Sequence, residues 1–134
     1  MIARAALLAG LVGLAACGDG GGFPDAAYHP PPLPGMFTAS WTITQGGAAA
    51  TCAQVNATSV LARIVDATSG SDFSTTFACS LGSAVSGALA PSTYNVTYTL
   101  LNGSAVLGTA TMVGSVTISS NMTTAAPAVV FALP

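Results

Sequence analysis

From Phe37 to the end of the chain, apolar and polar residues alternate in short runs, and Gly, Ser, Asn or Pro separates one run from the next. In TASWTIT (38–44), Trp41 and Ile43 fall on one face and Ser40, Thr42 and Thr44 on the other. TSVLARIVD (58–66) sets Val60, Ala62 and Ile64 against Leu61, Arg63 and Val65. DFSTTFAC (72–79) places Phe73, Thr75, Phe77 and Cys79 together. The clearest run is TYNVTYTLL (93–101), where Tyr94, Val96, Tyr98 and Leu100 face one way and Thr93, Asn95, Thr97 and Thr99 the other. SAVLGTATMVGSVTIS (104–119) reads as one long bent strand or as two, with Gly108 or Gly114 at the bend, and PAVVFAL (127–133) closes the pattern. A period of two, with turn residues at regular spacing and no competing helical period, predicts an all-β domain over 37–134. The expected form is a single antiparallel sandwich of about seven strands.

Composition narrows what such a domain can do. The 134 residues hold two cations, Arg4 and Arg63, and four acids, Asp19, Asp25, Asp66 and Asp72, with no Lys or Glu. A nucleic-acid binder needs clustered Lys and Arg to displace counterions from phosphates, so that class is excluded. The acidic excess is too slight to steer a cationic partner. So little charge suits a chain that is tethered, or that works outside the cytosol, better than one dispersed in cytoplasm.

The first residues supply the tether. Arg4 precedes the apolar run AALLAGLVGLAA, about a dozen residues, which has the layout of a secretory signal over 1–16. The run is too short to span a bilayer, which takes about 20 residues. It ends Leu14-Ala15-Ala16-Cys17, which resembles the lipobox of bacterial lipoproteins. That resemblance implies cleavage before Cys17, a diacylglycerol on its sulfur and a fatty acid such as palmitate on the new amino terminus. Small residues at 15 and 16 let an extended backbone enter a protease groove, and a thiolate is the strongest nucleophile available for taking up a lipid. One acyl chain binds a membrane marginally, at about 0.8 kcal/mol per buried methylene, whereas two or three hold it firmly. Gly18 rather than Asp follows Cys17; by resemblance to Gram-negative lipoproteins this implies the outer membrane, at its periplasmic face or on the cell surface.

Residues 17–36 then read as a disordered linker, glycine-rich before becoming proline-rich. Glycines favour flexible coil, and HPPPLP favours polyproline II. Gly18 to Met36 would reach about 60 Å at about 3.3 Å per residue. His29, the only histidine, has no ligand cluster near it in sequence, so no metal is expected there.

With Cys17 assigned to lipid, Cys52 and Cys79 remain. In an exported chain they are expected to form one disulfide, and their spacing lacks the C-x-x-C form of a redox pair. LAPSTYNVTY (89–98) resembles the E–F corner of immunoglobulin-like and fibronectin type III sandwiches, in which a Leu, a Pro-containing turn and a Tyr opening a strand form a tyrosine corner. Trp41 precedes the first cysteine of the pair, which departs from the antibody pattern. A transthyretin-like or carboxypeptidase-regulatory-like sandwich fits equally, and none of these folds specifies a function.

Residues 37–134 contain no His, Lys or Glu. Serines therefore have no base to activate them, and no catalytic residue or cofactor is expected. Asp66 and Asp72 flank DATSGSD, a weak calcium candidate that a polar hairpin turn explains better. Trp41, Tyr94 and Tyr98 alternate as core residues do, not as a carbohydrate platform. All four asparagines, 56, 95, 102 and 121, lie in N-x-Ser/Thr sequons, a pattern that alternating Thr- and Ser-rich faces account for.

The expectation is thus a lipid-anchored, non-enzymatic envelope protein, and the expected partners are the membrane and an envelope protein. The alternative is an extracytoplasmic protease inhibitor or substrate-capture subunit. It would work through a free strand edge or through the polar stretches QGGAAAT (45–51) and SLGSAVSG (80–87).

Overall fold

The computed structural model describes residues 28–134. The expected signal peptide, Cys17 and the first part of the linker lie outside the described residues. Pro31–Pro134 form one compact unit, a sandwich of two sheets built from ten strand segments. These are β1 (Met36–Gln45), β2 (Ala48–Ala50), β3 (Ser59–Asp66), β4 (Asp72–Ala78), β5 (Ser83–Val85), β6 (Ser92–Asn102), β7 (Ala105–Thr111), β8 (Val116–Ile118), β9 (Thr123–Ala125) and β10 (Val129–Leu133). A 3-10 turn, Cys79–Leu81, joins β4 to β5.

The segments fall into seven strand positions, because three of the positions are each shared by two short pieces. In the first sheet β1 is the centre. β5 and then β2 pair antiparallel along one of its sides, while β9 and then β10 pair parallel along the other. The second sheet runs β4-β3-β6, with β7 and β8 sharing the far side of β6. The parallel pairing of β1 differs from an all-antiparallel expectation. Alternation has the same period in both arrangements, so it carries no information about strand direction. The 104–119 run resolves into two strands, broken at Met112–Ser115 with Gly114 at φ +82°.

The core lies between the sheets and follows the alternation. Phe37, Ala39, Trp41 and Ile43 face Val60, Ala62 and Ile64 and the β6 row Tyr94, Val96, Tyr98 and Leu100, all buried. Phe73 departs from this. It lies on the core face of β4 yet is 45 % exposed, because β4 is an edge strand and has nothing beyond it to complete the packing.

Polar contacts secure the points where the chain enters and turns. Gly35 exchanges two backbone hydrogen bonds of 2.9 Å with Leu89, and Met36 N–H donates to the Met122 carbonyl at 2.9 Å. Paired structure therefore begins just before the expected boundary at 37. A Cβ at Gly35 would meet the Ser119 carbonyl oxygen and the Met122 carbonyl oxygen inside contact distance, so only glycine fits. The Tyr94 hydroxyl donates to the Ala90 carbonyl at 2.8 Å, closing the turn that leads into β6. Ser86, buried just past the end of β5, accepts the Phe37 N–H on its Oγ at 2.9 Å and extends the pairing of β1 by one side chain.

Candidate functional site: an apolar groove at a divided sheet edge

On the side of β1 that faces β2 and β5, the pairing is divided. β5 covers Thr38 to Ser40 and β2 covers Ile43 to Gln45. Between them Trp41 N–H donates to the Gly82 carbonyl at 3.0 Å, and no strand lies alongside Thr42 on that side. An open groove of about 460 Å³ occupies this gap, lined by Trp41, Thr42, Ile43, Ala49–Ala53, Cys79, Ser80 and Gly82.

Each wall is built locally. Thr51 and Gln54 form a reciprocal capping box: Thr51 N–H donates to Gln54 Oε1 at 2.8 Å, and Gln54 N–H donates to Thr51 Oγ1 at 3.3 Å. This starts a single helical turn in which Val55 N–H reaches the Thr51 carbonyl and Ala57 N–H the Cys52 carbonyl. Asn56 ends the turn at φ 56°, a left-handed position that Asn tolerates. The opposite wall is the 3-10 turn, closed where Gly82 at φ 67° donates its N–H to the Cys79 carbonyl. The Cys52–Cys79 disulfide, with its Cα atoms 6.0 Å apart, ties the two walls together.

Trp41 forms the floor. The residue is 4 % exposed, and its ring stacks on Phe77 with centroids 5.9 Å apart and planes 19° apart. Its indole N–H donates to the Cys79 carbonyl at 3.1 Å, so the one polar atom of the ring is satisfied. The groove contains no ionisable side chain, since Cys52 and Cys79 are joined in the disulfide. It therefore offers apolar surface and a few backbone and hydroxyl groups, chemistry that suits an aliphatic or aromatic group.

The other residues that the chain's pattern singles out sit elsewhere in the fold. Asp66 and Asp72 are at the two ends of the β3–β4 hairpin turn. Asp66 Oδ1 accepts N–H bonds from Thr68 at 2.7 Å and Ser69 at 3.0 Å and the Ser92 hydroxyl at 3.0 Å. The backbone N–H groups of Ser69 and Thr68 hold its pKa below the usual carboxylate value. Asp72 accepts two hydrogen bonds from the Arg63 guanidinium on one oxygen, and the hydrogen bond and charge of Asp72 raise the Arg63 pKa. Each carboxylate is thus engaged by its own hairpin, and no group of three or more His, Cys, Asp or Glu suited to a metal occurs among the described residues. Trp41, Tyr94 and Tyr98 are buried. Tyr98 is the one side chain among the described residues that buries a polar atom with no hydrogen-bond partner, its hydroxyl, and burial pushes its pKa up to about 12.

The stretches 45–51 and 80–87, expected as polar loops, contain β2 and β5 and contribute to both walls of the groove. The groove lies outside the alternation pattern of the strands. Its sequence signal is the capping box T51-C-A-Q54, with one of the paired cysteines inside it. A scan against protein-family models and a search of curated proteins find no match to this chain.

Proposed function

We propose that this protein is a lipid-anchored, non-enzymatic envelope protein whose sandwich is a binding module, displayed on the Gly/Pro linker at the outer membrane. The anchor reading rests on Leu14-Ala15-Ala16-Cys17 behind an apolar run of signal length. The binding reading rests on one observation: an apolar groove of about 460 Å³ opens over Trp41 in the gap between β5 and β2 along β1. An apolar groove of this size can take an aliphatic or aromatic side chain of a partner. The absence of His, Lys and Glu from 37–134 supports a role without acid–base or nucleophilic catalysis.

One observation favours the narrower capture reading. The stretches 45–51 and 80–87, far apart in sequence, meet at this one groove. A photoreactive residue at Ser80, on the groove wall, tests both readings in intact cells, with Asn95 on the outer face of the second sheet as control. One stoichiometric product from position 80 and none from 95 supports capture of an envelope partner. Diffuse products of equal yield from both positions would contradict a binding groove and favour a structural coat.

A further inference from the structure

Among the described residues β4 is the one long sheet edge that nothing divides or covers. The edge of the first sheet formed by β2 and β5 consists of two three-residue pieces. β7 also runs seven residues, but a bulge at Leu107 interrupts it, and β10 closes toward it where the Leu133 side chain lies against Gly108. β4 runs seven residues, DFSTTFA, and pairs only with β3. Natural edges of this length usually carry Lys, Pro or a bulge to block further pairing. β4 has none of these, and its single charge, Asp72, is held by Arg63 of the neighbouring strand.

The direction of its backbone groups follows from the two ends of the hairpin. Cys79 N–H donates to the Thr58 carbonyl at 3.1 Å, and Asp66 N–H donates to the Ser71 carbonyl at 2.8 Å. An antiparallel ladder alternates, so the odd-numbered residues of β4 bond inward to β3. Asp72, Ser74, Thr76 and Ala78 therefore direct their N–H and C=O groups outward, along an open edge.

We propose that β4 is a self-association edge, on which a second copy of this chain pairs antiparallel about a two-fold axis through Thr75. That register sets Asp72 opposite Ala78 and Ser74 opposite Thr76, so every outward donor meets an acceptor on the other copy. No like charges are opposed. On the core face it sets Phe73 opposite the other copy's Phe77, which covers the half-exposed ring that its own sheet leaves unpacked. A one-residue slip would oppose inward-bonded groups, and a two-residue slip would shorten the overlap and part Phe73 from Phe77, so both are disfavoured. The inference needs neither the lipid anchor nor the groove. A seven-residue strand pair buries less than the roughly 1,600 Å² of a standard interface, so the dimer is weak in dilute solution and is best detected by trapping.

Disulfide trapping of the full chain in mild detergent tests this, in a Cys17→Ser background that removes the third thiol. Directly opposed non-hydrogen-bonded residues approach to about 4.5 Å between Cα atoms. Thr75→Cys is therefore expected to form dimers at least tenfold faster than Thr117→Cys, in the other edge position of the same sheet. A mixture of Ser74→Cys and Thr76→Cys chains is expected to crosslink faster than either alone, which reads the register without altering the core face. Thr76→Pro removes an outward N–H and leaves the β3 ladder intact, so added to Thr75→Cys it is expected to return the rate to that of Thr117→Cys with an unchanged circular dichroism spectrum. Equal rates at 75 and 117, or dimers indifferent to Thr76→Pro, would overturn the proposal.

Discussion

Replacing Tyr98 with Phe is expected to stabilise the fold, which is unusual for a substitution in the middle of a core. Tyr98 lies in β6, paired with Ala62 on one side and Ala110 on the other, and is fully buried. Its ring packs as an apolar body, but its hydroxyl has no hydrogen-bond partner. Leaving such a group dry and unpaired costs about 1–3 kcal/mol relative to water, and Phe keeps the ring while removing that cost. The gain is therefore about 1–3 kcal/mol at pH 7. The pH dependence sharpens the test. Burial raises the Tyr98 pKa from 10.0 to about 12. Above pH 10 the unfolded chain releases this proton first, so the folded state binds more protons and stability falls as pH rises toward 12. At about 1.4 kcal/mol per pKa unit the loss approaches about 2–3 kcal/mol, and Tyr98→Phe abolishes it. Urea unfolding of both chains at pH 7 and pH 11.5 is expected to show the variant ahead at pH 7 and further ahead at pH 11.5. A variant less stable at pH 7, with a gap that does not widen on alkalinisation, would refute the assignment of an unsatisfied hydroxyl.

One substitution and one reduction probe what holds the sandwich together. Gly35→Ala forces a methyl group onto the carbonyl oxygens of Ser119 and Met122, so it is expected to cost at least the 1–3 kcal/mol of an overpacked site, read as a lower thermal midpoint. Reducing the Cys52–Cys79 disulfide frees a loop of 27 residues' separation and is expected to cost about 3.5 kcal/mol on the chain-entropy model. It also unties the two groove walls, so Trp41, the only tryptophan, is expected to shift its emission to the red before the global transition. Coincident emission and circular dichroism transitions would contradict that order of events.

How much of this was legible in the chain depends on where each residue's partners come from. Tyr94, Val96, Tyr98 and Leu100 could be read as one buried face because β6 is a central strand, with neighbours on both sides and a single covered face. The same alternation put Phe73 on the core face, where it lies, but not its half-exposure, since a core-facing position at an edge stays open and period alone does not reveal the edge. Ala48–Ala50 has no strand signal of its own; it is a strand because Ile43, Thr44 and Gln45 of β1 present backbone groups that require pairing. The Cys52–Cys79 pair was legible from the expectation of export and from counting cysteines. The groove was not, because its walls come from 49–53 and 80–82, and it exists only where β2 stops short of β5 beside Trp41. Asn56 and Asn121, which read as sequons, occupy left-handed turn positions at φ 56°, a conformational reason for asparagine there.

The proposed display of the groove at a membrane rests on Cys17, and metabolic labelling with a fatty acid tests that residue directly. The unmodified chain and Cys17→Ser are compared in the same host, with membrane and soluble fractions separated. A lipid-anchored protein incorporates label and stays with the membrane, whereas Cys17→Ser loses the label and releases the sandwich to the soluble fraction. Equal labelling of the two chains, or a soluble sandwich in both, would contradict the anchor.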